Sequence, residues 1–141
     1  MPPATFPTAR WCSCGKRAVL FAGDNVFNDF LPWLHQSDPF GWLESLQWIR
    51  RATPKVIVPG HGPVCDMGPV DRLEDYLKET LALVRKAVDD GLSRQEAANQ
   101  IRLPQVYPVP EHFRSVAPAV EKMGVERLYD ALSEINGVGF D

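Results

Sequence analysis

The stretch "VLFAGDNVFNDF" at residues 19–30 decides the fold, because an apolar run ends there at a glycine and a carboxylate. Its first half belongs to the run "AVLFAG" at 18–23, and a similar run, "KVIVP", lies at 55–59. Short continuous apolar runs bounded by glycine or proline are typical of buried strands. The sequence therefore predicts two parallel strands, with Asp24 after the first and His61 after the second.

A helix is predicted between these strands. Asp38 has the character of an N-cap, Pro39 suits the first helical position, and Pro54 ends the segment. Strand, helix and strand together form a right-handed βαβ unit, so the predicted fold class is α/β. A sheet usually has about 4 to 6 strands, and only two are recognisable. We therefore expect further strands to belong to a segment outside this sequence.

The rest of the chain is predicted to be helical. Apolar residues recur every three or four positions from Leu73 to Val88, and Gly91 is a natural stop. The string "SRQE" at 93–96 has the form of a capping box. A proline-rich connector then leads to a last helix expected over 116–134.

Composition excludes several classes of protein. The chain has 141 residues, 45% of them hydrophobic, and a net charge of −3, which is ordinary for a globular protein and does not favour nucleic-acid binding. No apolar run approaches the length of a membrane helix, and the first residues lack the apolar stretch of a signal peptide. We expect a cytoplasmic protein whose three cysteines, Cys12, Cys14 and Cys65, are reduced.

Asp24 and His61 are the candidate metal ligands. In an open α/β arrangement functional groups gather beyond the carboxyl ends of the strands, so both side chains should face one crevice. A carboxylate and an imidazole suit zinc, iron or manganese, and Gly60 and Gly62 would let the backbone bend to aim the ring. Each string alone, "GDN" or "PGHGP", is also typical of a turn.

Two motifs in order, "VLFAGDNVF" and "PKVIVPGHGPV", with a helix containing "WLESLQWI" between them, resemble the second half of the metallo-β-lactamase superfamily of metal-dependent hydrolases. The resemblance covers about residues 18 to 90. It implies the C-terminal half of an αββα sandwich, with Asp24 bridging two zinc ions and His61 binding one of them. Gly23, Gly60 and Gly62 would shape that site. An aspartate rather than a cysteine at position 24 favours thioester, lactone or phosphoester substrates over β-lactams.

The chain departs from this family in one respect. The family's other ligands come from an upstream "HxHxDH" motif and a further histidine, whereas the histidines of this sequence are His35, His61 and His112. We therefore expect a truncated hydrolase that is inactive alone and binds metal weakly, if at all. Its partners would be a small ester-type substrate and, through an exposed sheet face, a second copy of the chain, with neither nucleic acid nor membrane.

The residue patterns and the resemblance together predict three regions. They are an irregular lead-in at 1–17, half of a metallo-β-lactamase domain at 18–92 and a helical extension at 93–141. Other interpretations stay open. The chain could be a non-catalytic remnant, and "LSRQEAANQI" resembles the start of a helix-turn-helix DNA-binding motif.

Weaker site candidates complete the set. His35 is a weak candidate for binding substrate. Cys12, Cys14, His61 and Cys65 are an alternative zinc set, although their spacing differs from that of common zinc motifs.

Overall fold

The structure is a computed structural model that describes residues 10–14 and 17–137. These residues form one β-sheet and several helices, so the fold is α/β, as the sequence predicts. In chain order the strands and α-helices of the described residues are β1 (Arg10–Cys14), β2 (Arg17–Phe27), α1 (Pro39–Ala52), β3 (Val56–His61), α2 (Gly68–Asp89), α3 (Arg94–Gln100) and α4 (Ala117–Gly137). Short 3-10 turns lie at Leu34–Gln36 and Glu111–Phe113.

The sheet has the strand order β1-β2-β3. β2 and β3 are parallel, and they place Leu20 beside Ile57. Both of these side chains are completely buried. The helix that connects the two strands, α1, begins at Pro39 and ends shortly before Pro54. The predicted strand–helix–strand unit with parallel strands is therefore confirmed.

Within the irregular lead-in that the sequence predicts for residues 1–17, the described residues form strands. Arg10–Cys14 form β1, which pairs antiparallel with β2 and places Cys14 beside Arg17. The prediction is wrong for this segment because "RWCSC" lacks a clear apolar pattern, whereas pairing with β2 gives its backbone hydrogen-bond partners. Residues 1–9 and 15–16 lie outside the described residues.

β2 continues beyond its predicted end at Gly23. The pairing with β3 is irregular between Phe21 and Phe27 and resumes where Phe27 lies opposite His61. Gly23 has a φ of 53°, which glycine adopts at little cost and which allows a strand to bulge. Asp24 and His61 therefore lie within the carboxyl-terminal parts of their strands, and the expectation that they follow the strands is wrong.

Two compact units make up the chain. The first contains the described residues up to Pro32 together with Phe40–Tyr76, and the second contains Trp33–Pro39 and the described residues from Leu77 onward. The core of the first unit includes Leu20, Val26, Trp42, Leu46, Ile49, Ile57 and Leu73. The core of the second unit includes Leu34, Leu77, Val84, Ala97, Val125, Leu128 and Leu132. The predicted domain boundary between residues 92 and 93 stays a prediction.

The two faces of the parallel pair differ in burial. Leu20 and Ile57 are buried on one face, whereas Phe21, which points to the other face, is 46% exposed. Val19 and Val58 share the face of Phe21 and are half-buried. We call these three residues the Phe21 face. Parallel strands normally have both faces covered, so the Phe21 face is an incompletely covered apolar surface of the first unit.

The helical region begins and ends close to its predicted limits. Leu73 and the other periodic residues belong to α2, and Gly91, with a φ of 78°, follows its end. The capping box at α3 is present, with the backbone N–H of Ser93 donating to the Glu96 carboxylate at 2.8 Å. Hydrogen bonds from the side chain and backbone of Ser93 hold the pKa of Glu96 below its usual value.

Candidate metal site

Asp24 and His61 lie side by side in the first unit. The Nε2 atom of His61 is 3.5 Å from the Oδ1 atom of Asp24. Asp24 belongs to β2 and His61 is the last residue of β3, so the parallel pairing of the two strands brings them together. The predicted closeness of the carboxylate and the imidazole is therefore confirmed.

Glycines make this approach possible. A Cβ atom at Gly60 would lie 2.1 Å from the Asp24 carboxylate oxygen and 2.7 Å from the carbonyl carbon of Gly23. Real Cβ atoms do not come that close to other atoms, so any other residue would push β3 away from β2. Because Gly60 has no side chain, the space beside it is free for the Asp24 carboxylate. Gly23 contributes the bulge that precedes Asp24.

Gly62 and Asn28 fix the backbone around His61. Gly62 has a φ of 89°, and a Cβ atom there would lie 1.6 Å from the carbonyl oxygen of Asn28. The backbone N–H of Asn28 donates to the carbonyl of His61 at 3.0 Å. The side-chain amide of Asn28, which is 7% exposed, donates to the carbonyl of Pro63 at 2.9 Å. Asn28 therefore binds the chain on both sides of Gly62.

Two aromatic rings contact the imidazole of His61. The ring centroids of Phe27 and Phe30 each lie 4.9 Å from that of His61, with interplanar angles of 14° and 23°. Phe27 also packs against Trp42 of α1 at 5.8 Å. Sequence reasoning missed Asn28, Phe27 and Phe30 as site residues. The only signal was their position just after Asp24 in the quoted stretch, since they follow no strand or helix period.

The donor pair fits one side of a divalent-metal site. A tetrahedral zinc ion with bonds of about 2.0–2.1 Å holds its ligand atoms about 3.3 Å apart, and the observed separation is 3.5 Å. The side chains of His61 and Asp24 are 37% and 59% exposed, so both are accessible to an ion from solution. Among the described residues no group of three or more His, Cys, Asp or Glu side chains is arranged to hold a metal.

The other histidines belong to the second unit. His35 lies in the 3-10 turn Leu34–Gln36 with its ring 5.8 Å from that of Trp33. Its Nδ1 atom is buried and accepts or donates no hydrogen bond within the described part of the chain. His112 is exposed and its ring packs 4.7 Å from that of Phe113. The weak prediction that His35 binds substrate is untested and stays a prediction.

The alternative zinc set is only partly described. Cys65 pairs through its backbone with Ile57 and is half-buried. Burial, and to a smaller extent the charge of Asp66, raises the pKa of the Cys65 thiol. A raised pKa disfavours the thiolate that binds metal. The side chains of Cys12 and Cys14 lie outside the described residues.

Comparison of the sequence with models of protein families and with curated proteins gives no match. The resemblance to the metallo-β-lactamase superfamily therefore rests on the two motifs and on their order along the chain.

No α-helix in the described ranges is both long enough and apolar enough to cross a membrane.

Proposed function

We propose that Asp24 and His61 are two ligands of a divalent-metal centre in a hydrolase of the metallo-β-lactamase superfamily. The observation that supports this role most strongly is the 3.5 Å separation of their donor atoms at the carboxyl-terminal ends of two parallel strands. The close approach of Gly60 to the Asp24 carboxylate adds support, because that approach requires a glycine. In this proposal β2, α1 and β3 correspond to part of one half of an αββα sandwich.

Ligand counting limits what the chain does alone. A catalytic zinc normally has three protein ligands and one open position. Asp24 and His61 provide two, and no described cluster supplies a third. The proposal therefore assigns the remaining ligands to polypeptide outside this sequence and predicts that the chain by itself is inactive.

The proposed substrate is a small thioester, lactone or phosphoester. A divalent ion held by Asp24 and His61, whether Zn²⁺, Fe²⁺ or Mn²⁺, would supply a Lewis acid to polarise the carbonyl or phosphoryl group. Asp24 favours these substrates over β-lactams by the family resemblance alone. The exposure of both side chains is compatible with a site that substrate reaches from solvent.

A non-catalytic remnant is the second candidate, and the two-ligand count supports it equally well. Metal binding and turnover of the isolated chain do not distinguish the two candidates, because both retain the two ligands and both are inactive alone. Turnover gained on adding a polypeptide that carries the upstream "HxHxDH" motif would support the hydrolase over the remnant. The helix-turn-helix alternative has less support. Residues 101–110, which follow α3, contain no second helix, and a recognition helix after a short turn defines that motif.

Isothermal titration calorimetry of the purified chain with Zn²⁺ or Mn²⁺ tests whether Asp24 and His61 bind metal. We expect weak binding that is lost in both Asp24→Ala and His61→Ala, because each variant removes one of only two donors. His112→Ala and Asp75→Ala are matched controls, since both side chains are exposed and lie away from the pair in sequence. They should bind as the parent chain does. Equal binding by all five proteins would contradict the proposed site.

Turnover is measured on the same samples with thioester, lactone and phosphodiester substrates. The chain should not exceed the metal-ion blank. Turnover that requires both Asp24 and His61 would show that the chain completes its own ligand set. The prediction that the isolated chain is inactive would then be wrong.

The Phe21 face leads to a prediction about association. We propose that a second copy of the chain covers this face, because Phe21 is 46% exposed in the middle of a parallel pair and such strands normally have both faces covered. Sedimentation velocity should show a mass that rises with concentration, and Phe21→Lys should shift the chain toward monomer. Val64→Lys is the control, because Val64 is 61% exposed outside the sheet face. A monomer at all concentrations would contradict the prediction.

A further inference from the structure

We propose that the segment Phe27–Phe30 positions the imidazole of His61. Asn28 holds the backbone of the His61 turn, and the rings of Phe27 and Phe30 hold the plane of the imidazole. The consequence for metal affinity rests on the proposed function, whereas the orientation of the ring does not. Asn28, Phe27 and Phe30 are positioning residues, since none of them supplies a donor to the pair.

The backbone restraint comes from two hydrogen bonds of one residue. Asn28 donates through its backbone N–H to the carbonyl of His61 at 3.0 Å and through its side chain to the carbonyl of Pro63 at 2.9 Å. Gly62 lies between these acceptors in a conformation that leaves no room for a Cβ atom beside Asn28. These contacts fix the Cα–Cβ direction of His61 as it leaves β3.

The ring restraint comes from two stacked contacts. Phe27 lies opposite His61 in the pairing of β2 with β3 and is 3% exposed, so its ring is a fixed surface. Phe30 reaches the same imidazole from three residues further along, at the same centroid distance of 4.9 Å. Stacking against both rings limits rotation about χ2 of His61. A metal-binding histidine needs such a restraint, because a freely rotating ring loses entropy when it binds the ion.

Nuclear magnetic resonance of the full chain with labelled histidine tests the orientation directly. The ring protons of His61 should show Overhauser effects to the ring protons of Phe27 and Phe30, and a ring-current shift caused by the stacking. Phe30→Leu should abolish the Overhauser effects between position 30 and His61 and reduce the ring-current shift of His61. Phe30→Tyr should keep both. Phe21→Leu is the matched control, because Phe21 is an exposed phenylalanine of β2, and it should leave the His61 signals unchanged.

Asn28→Ala tests the backbone restraint in the same experiment. Losing the amide that binds Pro63 should broaden or shift the amide signals of residues 61–63 and weaken the Overhauser effects at His61. Thermal melts of all variants show whether the chain remains folded. A folded Phe30→Leu variant with the His61 shift of the parent chain would overturn the proposal, as would parent His61 signals in a folded Asn28→Ala variant.

Zinc titration separates this inference from the proposed function. Loss of a residue that orients a metal ligand typically lowers affinity by about 10- to 100-fold, so Phe30→Leu and Asn28→Ala should each weaken Zn²⁺ binding by about 10-fold. Phe30→Tyr and Phe21→Leu should bind as the parent chain does. If the parent chain binds no zinc, the proposed function fails, and the Overhauser and ring-current measurements still decide the orientation of His61.

Discussion

Replacing Gly62 with alanine should lower the free energy of unfolding by about 2–5 kcal/mol. Gly62 has a φ of 89°, and left-handed backbone costs other residues about 1–2 kcal/mol. The new Cβ atom would also lie 1.6 Å from the carbonyl oxygen of Asn28. Relieving that overlap moves the segment that binds His61, and overpacking of this kind costs about 1–3 kcal/mol more.

Gly91→Ala is the matched control for this prediction. Gly91 also has a left-handed φ, of 78°, and a Cβ atom there would meet no described atom within 4 Å. Its substitution should therefore cost only the conformational part, about 1–2 kcal/mol. Urea unfolding followed by tryptophan fluorescence measures both. Equal losses of unfolding free energy in the two variants would show that Asn28 moves aside easily and does not hold the backbone around Gly62 in place.

The part of the site that the sequence predicts correctly depends on local signals. Two apolar runs and an intervening helix with a proline near each end predict β2, α1 and β3, because strand and helix patterns are short-range properties. Parallel strands place their carboxyl ends together, and this places Asp24 beside His61 before any coordinates are known. The 3.5 Å contact is therefore a consequence of topology and of two short motifs.

The parts that the sequence does not predict depend on pairing and on packing. The five residues of β1 show no clear apolar pattern, so their sequence does not predict a strand. The contacts of Phe27 and Phe30 with His61 join β2 and the chain after it to β3. No period within one segment reveals such contacts, because they depend on the register between strands.

The helix α4 shows a further limit of pattern reading. Met123 fits the apolar spacing that predicts this helix, yet it is 48% exposed, whereas Val125 is completely buried. Helical periodicity identifies the helix but does not fix which residues are buried, because the predicted buried face can be shifted by one position in either direction. In the second unit the small residue Gly124 is buried against Leu34, which sets the face that turns inward.

Replacing Trp42 with alanine should lower the free energy of unfolding by about 3–5 kcal/mol. Trp42 is 1% exposed and is the largest completely buried side chain among the described residues. Its ring packs 5.8 Å from that of Phe27, and its Nε1–H donates to the carbonyl of Asn25 at 2.9 Å. Asn25 follows Asp24 in β2. The contacts of Trp42 therefore stabilise the bulged part of β2 that carries the Asp24 carboxylate.

Trp42→Phe separates the hydrogen bond from the packing. Phenylalanine keeps most of the apolar volume but lacks the donor, so the buried carbonyl of Asn25 loses a partner at a cost of about 1–3 kcal/mol. The alanine variant should also weaken the zinc binding that we propose for Asp24 and His61, because β2 loses its contacts with Trp42. The phenylalanine variant should keep more of that binding. Both effects are measured by urea unfolding and zinc titration of the same preparations.

The control for Trp42 is Trp48→Ala in the same helix. Trp48 is only half-buried, so its removal should cost less and should leave the zinc affinity unchanged. If Trp48→Ala destabilises the chain as much as Trp42→Ala does, the large effect belongs to α1 as a whole and not to the contact with β2. If Trp42→Ala keeps the zinc affinity of the parent chain, the contacts of Trp42 do not position Asp24, and the glycines at 23 and 60 alone hold the carboxylate beside His61.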